Sequence, residues 1–175
     1  NAALVSVNVQ NPSNPVYGSR GYTFGNTPQQ LDIDGERAFL PTLTGYVSRY
    51  NISILNGTQG PYPLWNIYPP LSEFIVNSPY DVDVVDGKAY IADGTEFKVY
   101  NANTVEPRYE VPLAKYSANV NFRAVEVRGD YAYLIDSFYG FKIFNIKNNL
   151  SLAGKFDMPG LWNVYVDSQT SSTSQ

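Results

Sequence analysis

The sequence predicts an all-β fold, and three observations support this prediction. A pattern of two short strands joined by a turn of Gly and charged residues occurs at residues 82–93 and again at residues 125–136, with a weaker copy at residues 31–40. No stretch of the length that a helix needs shows a 3.6-residue apolar period. Tyr is frequent, with 15 copies, and its ring packs on a pleated sheet while its hydroxyl stays in water.

Composition excludes several functional classes. The 175 residues contain neither Cys nor His, which excludes disulfides, thiol nucleophiles, His-based triads and the usual zinc and haem ligands. The formal net charge is −4 without a basic cluster, so we expect no nucleic-acid partner. No apolar run approaches the ~18 residues of a membrane-spanning helix. We therefore expect no cofactor, no metal centre and no membrane span within this chain.

The front of the chain predicts two strands and a turn. Residues 1–9 alternate apolar and polar side chains, as a strand with one buried face does. Residues 11–15 contain two Pro and two Asn, and this composition is typical of a turn because Pro fixes φ and Asn bonds its own backbone. Residues 16–24 then predict a second strand.

The weaker copy of the repeated pattern continues into two further predicted strands. The first of them covers residues 45–52, and the dipeptide Asn56-Gly57 that follows favours a hairpin turn. The next covers residues 65–68, where two consecutive Pro residues end it.

The other two copies continue in the same way. Third strands are predicted at residues 97–101 and 141–145, and fourth strands at residues 108–111 and 152–156. Residues 161–167 begin the first strand of another unit. The Asn that ends each third strand recurs about every 43–50 residues, at positions Asn8, Asn51, Asn101 and Asn145.

Four strands per unit at this period indicate the blades of a β-propeller. Such sheets stack around an axis and bury both of their faces. Because the chain begins at a third strand and finishes on a first strand, it is either a small ring of about four blades or a segment of a larger propeller. We expect the propeller to cover residues 1–167, and residues 168–175, which contain only Ser, Thr and Gln, to be a flexible tail or linker.

The repeats resemble the LVIVD-repeat family of propellers. In that family a strand is followed by Gly-x-x-Ala-Tyr and then by Gly-Leu-x-hydrophobic-x-Asp, which residues 129–133 and 140–145 resemble. Phe141 stands in place of the family's Leu, and Asn145 in place of its Asp. The resemblance is best over residues 80–160. It implies the propeller fold and implies no particular activity.

Three carboxylates occupy the same place in the innermost strands of successive units, namely Asp32, Asp83 and Glu126, and Tyr165 takes that place in the fourth. They could converge on a central channel and bind a cation or polar ligand, or supply an acid/base pair. Alternatively, each faces channel water and opposes mispairing by like charge. We predict them as candidate channel ligands and assign no catalytic residue or metal ligand.

Two other carboxylates, Asp93 and Asp136, close the second strands of their units. A ligand role is conceivable for them. We interpret both as ordinary turn residues, because Asp is common where a strand passes into a loop.

Aromatic residues are candidates for a binding surface at the rim of the propeller. Trp65, Trp162 and Tyr139 could stack on the apolar faces of sugar rings. The alternative for the two Trp residues is that they fill the core between blades. Tyr139 lies between two predicted strands and is therefore the better rim candidate.

Three sequons are present, at Asn51, Asn56 and Asn149. Asn51 shares the repeat position of the strand-ending Asn residues, so a turn competes for its side chain. Asn56 and Asn149 lie in predicted hairpin loops and are the better N-glycosylation candidates. A chain this rich in Asn, Ser and Thr would also contain some sequons by chance.

The sequence predicts a non-enzymatic, extracellular or cell-surface binding or scaffold module. Its low charge, with 16% charged residues, and its Ser/Thr-rich tail resemble surface-layer or filament proteins of archaea. The expected partners are other protein subunits or the rest of a larger parent chain, with glycans as further candidates. The alternatives are a portion of a propeller enzyme, such as a glycoside hydrolase, and a lectin-like domain.

Overall fold

The computed structural model describes residues 3–22, 28–43, 45–52, 72–103 and 111–167. Within these ranges the chain forms β-strands and no helix, which confirms the all-β class. The strands are β1 (Ala3–Asn8), β2 (Val16–Tyr22), β3 (Asp32–Asp34), β4 (Arg37–Thr42), β5 (Tyr46–Asn51), β6 (Ser72–Ile75), β7 (Asp81–Val85), β8 (Lys88–Asn101), β9 (Ala114–Arg128), β10 (Tyr131–Asp136), β11 (Gly140–Asn145) and β12 (Ser151–Phe156).

Within each sheet, neighbouring strands are consecutive in the chain and pair antiparallel. Strands β1 and β2 form one pair, β3 to β6 form a four-stranded sheet, and β7 to β12 form a six-stranded sheet. The three repeated strand pairs turn at Gly35, Gly87 and Gly129, whose φ angles of 58°, 70° and 57° lie in the left-handed region. Glycine adopts this conformation without steric cost, and this explains its place in each copy of the pattern.

The long strand β8 folds back on itself. It has 14 residues, and a straight strand of that length would span roughly 45 Å at ~3.3 Å per residue. However, the backbone N–H of Ala102 donates to the carbonyl of Gly87 over only 2.8 Å. The chain therefore reverses within β8, at Gly94, where φ is +57°. β8 supplies the second and third strands of one unit, as the sequence predicts.

Strand β9 joins two consecutive units. Its first residues pair with the end of β8, and its last residues pair with β10. The described residues therefore include three four-stranded blades. Blade I comprises β3, β4, β5 and β6. Blade II comprises β7, β8 and residues 114–118 of β9, and blade III comprises residues 122–128 of β9 with β10, β11 and β12.

Blade II is buried on both faces, and this burial holds the three blades together. Alternate residues of a strand point to opposite faces. On one face Ile91 packs in a cluster with Phe39 and Val47 of blade I. On the other face Tyr90 packs in a cluster with Phe144 of blade III. The apolar residues of the first part of β8 are therefore continuous in sequence, because blade I packs on one face of this strand and blade III on the other.

Shortening Ile91 tests this packing between blades I and II. Ile91 is fully buried, so we expect Ile91→Val to lower the free energy of unfolding by about 1 kcal/mol, measured by urea denaturation. The matched control is Ile33→Val, because the side chain of Ile33 is 55% exposed. We expect the control to change the stability by less than about 0.5 kcal/mol. Equal effects of the two substitutions would contradict the assignment of this core.

Several predicted strand positions are wrong or lie outside the described residues. The strand that completes blade II begins at Ala114. Of the predicted strand at residues 108–111, only Val111 lies among the described residues, and it belongs to no strand, next to Pro112, which has no N–H to donate to a ladder. The fourth strand of blade I is β6, at residues where no strand was predicted. Residues 65–68, predicted as that strand, lie outside the described residues, as does the predicted tail at 168–175.

The segment at residues 161–167 is not a strand, and this corrects the predicted first strand of a fourth unit. It forms no ladder with the described part of the chain. A side-chain contact joins it to blade III, in which Nε of Arg128 donates to the carbonyl of Val166 at 3.4 Å. A strand needs a hydrogen-bonded partner on at least one edge, and the described residues provide none here.

Candidate functional site

Two of the predicted channel carboxylates connect neighbouring blades. Oδ2 of Asp32 in blade I accepts a hydrogen bond from the N–H of Val84 in blade II at 2.6 Å. Oδ2 of Asp83 in blade II accepts the corresponding bond from Val127 in blade III at 2.5 Å. Each carboxylate therefore satisfies a backbone donor of the next innermost strand, and this contact recurs from blade to blade.

The third predicted carboxylate, Glu126, makes a different contact. Its side chain forms an ion pair with Arg128 of the same strand at 2.6 Å. Among the described residues, no group of three or more acidic side chains is arranged to hold a metal ion. Asp32, Asp83 and Glu126 are each engaged by a separate donor, and the charges of Asp32 and Glu126 add to the effect of burial in raising the pKa of Asp83. Their role as channel ligands stays a prediction.

A fourth carboxylate of this region, Asp81, was missed in the sequence. Asp81 is 6% exposed, and its two oxygens accept the N–H groups of Val82 and Val125, each at 2.9 Å. Burial raises the pKa of Asp81 to about 7 against the opposing effect of these bonds, and burial also raises the pKa of Asp83 to about 6. The sequence feature that could have indicated Asp81 is its position two residues before Asp83, which places both side chains on the same face of β7.

Two buried ion pairs lie at the end of the blades where the innermost strands begin. Nζ of Lys98 lies 2.5 Å from Oδ2 of Asp93 in blade II, and Nζ of Lys142 lies 2.5 Å from Oδ2 of Asp136 in blade III. Both Asp side chains are fully buried. The interpretation of Asp93 and Asp136 as ordinary turn residues is therefore incomplete, since each also neutralises a buried lysine.

Each buried Asp also holds the loops beside it. Asp136 accepts hydrogen bonds from the N–H groups of Phe138 at 3.0 Å, Tyr139 at 3.4 Å and Asn121 at 3.5 Å. Burial alone would raise the pKa of Asp136, but Lys142 and these donors hold it below its usual value. Asp93 accepts the N–H of Ser78 at 2.6 Å in the equivalent place. The ion pairs therefore position the loops at this end of the blades.

Blade I has a neutral pair of side chains where the other blades have the ion pair. Thr42 ends its second strand as Asp136 does in blade III. Ser48 faces Leu40 across the strand pair, in the register in which Lys142 faces Leu134. Both Thr42 and Ser48 are buried. The fold therefore accepts a hydroxyl pair at positions that carry opposite charges in blades II and III.

Arg123 of β9 lies beside two aromatic rings at the same end, those of Tyr80, just before β7, and of Trp162, in the segment at residues 161–167. The guanidinium carbon of Arg123 lies 4.6 Å from the ring centroid of Tyr80 and 5.5 Å from that of Trp162. Such distances allow attraction between the cation and both ring faces. Trp162 is 72% exposed, so it does not fill the core between blades. The side chain of Arg123 thus lies beside two rings, of which that of Trp162 faces solvent.

Asn121 fixes the guanidinium of Arg123 in its plane. With its amide oriented to match its neighbours, Oδ1 of Asn121 accepts from Nε and Nη2 of Arg123, each at 3.2 Å. The backbone of Asn121 is itself held, because its carbonyl accepts the N–H of Ser137 at 3.1 Å. The buried Asp136 therefore positions Arg123 through Asn121.

The loop after β10 adds two more aromatic rings. Tyr139 is 56% exposed and its ring lies 5.7 Å from Nζ of Lys142. The ring centroids of Phe138 and Tyr139 are 6.4 Å apart, and Phe138 is also exposed. We name this surface the arginine–aromatic face, and it consists of Tyr80, Asn121, Arg123, Phe138, Tyr139 and Trp162.

The remaining predicted positions stay untested. Trp65 and Asn56 lie outside the described residues. Asn51 ends β5, and Asn149 is exposed in the turn before β12 with a φ of 62°. Sugar binding by the aromatic residues and N-glycosylation of the three Asn residues remain predictions.

Comparison with solved structures identifies the architecture. The WD40 domain of Toxoplasma gondii coronin superposes with a TM-score of 0.62 at 11% identity, over 81% of this chain and 36% of that one. Chaetomium thermophilum Sqt1, bound to the N-terminus of the ribosomal protein L10, gives a TM-score of 0.59 at 11% identity, over 85% and 41%. The fold is that of β-propeller blades. The chain spans about two fifths of the length of these propellers.

A designed protein of similar length has the same arrangement. The computationally designed Ika4 protein superposes with a TM-score of 0.58 at 13% identity, over 83% of this chain and 82% of that one. No protein-family model matches the sequence, and no curated protein matches it. Membership of the LVIVD-repeat family therefore stays a prediction.

The predicted extracellular or cell-surface location is wrong on this comparison. The natural proteins among the similar structures, which include coronin, Sqt1 and the mitotic checkpoint complex, are intracellular, and nothing in the comparison points to an extracellular location. The composition that suggested a surface location is explained by the β-structure. Tyr and Thr are favoured in strands, and Asn and Ser are favoured in turns. The described residues include no helix long and apolar enough to cross a membrane.

Proposed function

We propose that this propeller is a non-enzymatic scaffold that binds a protein partner through the arginine–aromatic face. The observation that carries the proposal is the contact of Arg123 with Tyr80 and with the exposed Trp162, at the end of the blades where the exposed rings of Phe138 and Tyr139 also lie. Trp, Tyr and Arg are the residues that most often dominate the binding energy of protein interfaces. Rings held by packing and by hydrogen-bonded loops also lose little conformational entropy on binding.

The compared structures are consistent with this function. Sqt1 is bound to the N-terminus of a ribosomal protein, and another propeller belongs to the mitotic checkpoint complex. Fold alone does not determine function, so the argument rests on the face itself. The open surfaces of the outer blades would be covered by other subunits or by the rest of a larger parent chain.

The contacts of the carboxylates do not favour a glycoside hydrolase. Such an enzyme needs two carboxyl groups on either side of the scissile bond. Asp32 and Asp83 each bind the backbone of the next blade, and Glu126 binds Arg128. The contacts of Asp32 and Asp83 support a structural role for these two carboxylates between blades.

Photocrosslinking tests the proposed function. A photoreactive phenylalanine analogue in place of Tyr139 is expected to crosslink the chain to discrete protein partners in the cells that produce it. The matched control is the same analogue in place of Tyr131, which is 39% exposed and begins β10 at the opposite end from the loop. The proposal fails if Tyr139 yields no adduct, or if both positions yield the same adducts.

A smaller proposal concerns the family of the repeats. We infer that the chain belongs with the LVIVD-repeat propellers. In support, Gly129 makes the turn that its motif requires, and Gly140 begins the third strand of blade III with a φ of 102°. A side chain at Gly140 would collide with the backbone of Phe156 and Met158, so glycine is required there.

A further inference from the structure

We propose that Arg123 binds a carboxylate of the partner, so that the arginine–aromatic face recognises an acidic peptide segment. This inference rests on the proposed function and adds the chemistry of the ligand. It follows from three features of Arg123, namely the direction in which its donors are free, its lack of an acidic neighbour and the aromatic surface around it.

The free donors of Arg123 lie along one edge of its guanidinium. The rings of Tyr80 and Trp162 lie close to the group, with their centroids 4.6 and 5.5 Å from its central carbon. The edge formed by Nε and Nη2 donates to Asn121. Nη1 has no acceptor among the described residues, so the edge formed by Nη1 and Nη2 remains available. Two parallel N–H groups on one edge match the two oxygens of a carboxylate.

The charge of Arg123 is not compensated within the described part of the chain. Lys98, Lys142 and Arg128 each have a carboxylate at 2.5 to 2.6 Å. Arg123 forms no ion pair with any described carboxylate, although the whole chain carries a net charge of −4. Arg123 is half-buried beside two rings, and a partly buried charge attracts an incoming anion more strongly than a fully exposed one.

The aromatic surroundings favour a peptide over a small free anion. Trp162, Phe138 and Tyr139 are all more than half exposed. Apolar side chains on either side of an acidic residue would cover these rings and exclude water from the ion pair. A free carboxylate or phosphate would gain the charge contact and leave the rings exposed.

Selection from a library of short random peptides with amidated C-termini tests this inference. We expect the wild-type chain to enrich peptides with Asp or Glu beside apolar or aromatic residues. The variant Arg123→Gln is expected to lose this enrichment. The matched control Lys88→Gln removes an exposed positive charge at the start of β8, and we expect it to select as the wild type does.

Fluorescence anisotropy with one enriched peptide then measures the contact itself. Replacing its acidic residue by Gln or Asn, or changing Arg123 to Gln, should each weaken binding about tenfold or more, and the two changes together should weaken it no further. Arg123→Lys keeps the positive charge but removes the two parallel N–H donors of the guanidinium, and we expect an intermediate affinity. Inorganic phosphate should compete only weakly. Thermal unfolding of each variant confirms that it remains folded.

Two results would overturn the inference. The first is selection of peptides without acidic residues, and the second is an equal loss of affinity for acidic and amide peptides on changing Arg123. If crosslinks from Tyr139 persist in either case, the scaffold function stands and only the assignment of the ligand fails. Absence of both enrichment and crosslinks removes both proposals.

Discussion

Replacing Lys142 with Met is expected to destabilise the fold by about 3 kcal/mol or more, because the substitution leaves a buried carboxylate without its counter-ion. Asp136 is fully buried and lies 2.5 Å from Nζ of Lys142. Its remaining partners are backbone N–H groups, which reduce the penalty without removing it. Urea denaturation at neutral pH measures the loss. Met retains most of the length of the Lys chain, so the effect reports the charge more than the packing.

The side chains of blade I indicate how blade III should tolerate the loss of both charges of the pair of Asp136 and Lys142. It carries Thr42 and Ser48 at the corresponding buried positions. We therefore expect the double variant Asp136→Thr/Lys142→Ser to lie within about 2 kcal/mol of the wild type, and to be more stable than Lys142→Met.

An exposed ion pair provides the matched control for the buried ion pair of Asp136 and Lys142. Lys155 lies 3.2 Å from Asp157, and both side chains are more than half exposed. Lys155→Met should change the stability by no more than about 0.5 kcal/mol. A double variant that is no more stable than Lys142→Met would show that the hydroxyl pair of blade I cannot replace the ion pair of blade III.

The stability of the fold is expected to decrease as the pH rises from about 4 to about 7. Burial raises the pKa of Asp81 from 3.8 to about 7 and that of Asp83 from 3.8 to about 6. Between these values the native state binds more protons than the unfolded chain. Stability then falls with pH by on the order of 1.4 kcal/mol per pH unit for each excess proton.

Two other carboxylates, Glu96 and Asp136, should make the fold less stable at low pH. Lys98 and Ser117 hold the pKa of Glu96 at about 2, and Lys142 with backbone donors holds the pKa of Asp136 below its usual value. Protonation of these two groups at low pH removes the stability that their charged forms supply. We therefore expect maximal stability near pH 4 to 5, determined from urea midpoints across a pH series. A midpoint that rises steadily between pH 4 and 7 would contradict the protonation of Asp81 and Asp83.

The variant Asp81→Asn tests whether Asp81 causes the pH dependence of the stability. Asn163 already occupies a similar place in the segment at residues 161–167, where its Oδ1 accepts the N–H of Val164 at 2.8 Å. The slope of stability against pH should become shallower in Asp81→Asn. Asp130→Asn removes a carboxylate whose side chain is 53% exposed, and the slope should stay unchanged. Equal slopes in the wild type and Asp81→Asn would assign the effect to another group.

The two predictions concern the same end of the blades as the candidate site. The buried Asp136 holds Asn121 and the loop of Phe138 and Tyr139, and Asn121 in turn holds Arg123. A substitution that breaks the ion pair should therefore weaken partner binding as well as stability. Changing Arg123 itself should weaken binding and leave stability nearly unchanged, since its side chain adjoins solvent.

The amino-acid sequence by itself determined the all-β class, the four-stranded repeat and the places of its turns. These follow from local properties, because alternating apolar residues form strands and glycine alone turns easily with positive φ. The sequence also indicated that Asp32, Asp83 and Glu126 are equivalent positions. It could not show what they contact, and the predicted surface location, drawn from composition alone, was wrong.

Only the tertiary structure decided which of the chemically active residues meet. Tyr80, Arg123 and Trp162 belong to three successive units and lie far apart in the chain, so no local pattern predicts their stacking. The buried pairs of Asp93 with Lys98 and of Asp136 with Lys142 likewise depend on how far each strand is covered by the next blade. Local periodicity determines which face of a strand is apolar, whereas the packing of one blade on another determines which polar groups lose water and must find a partner.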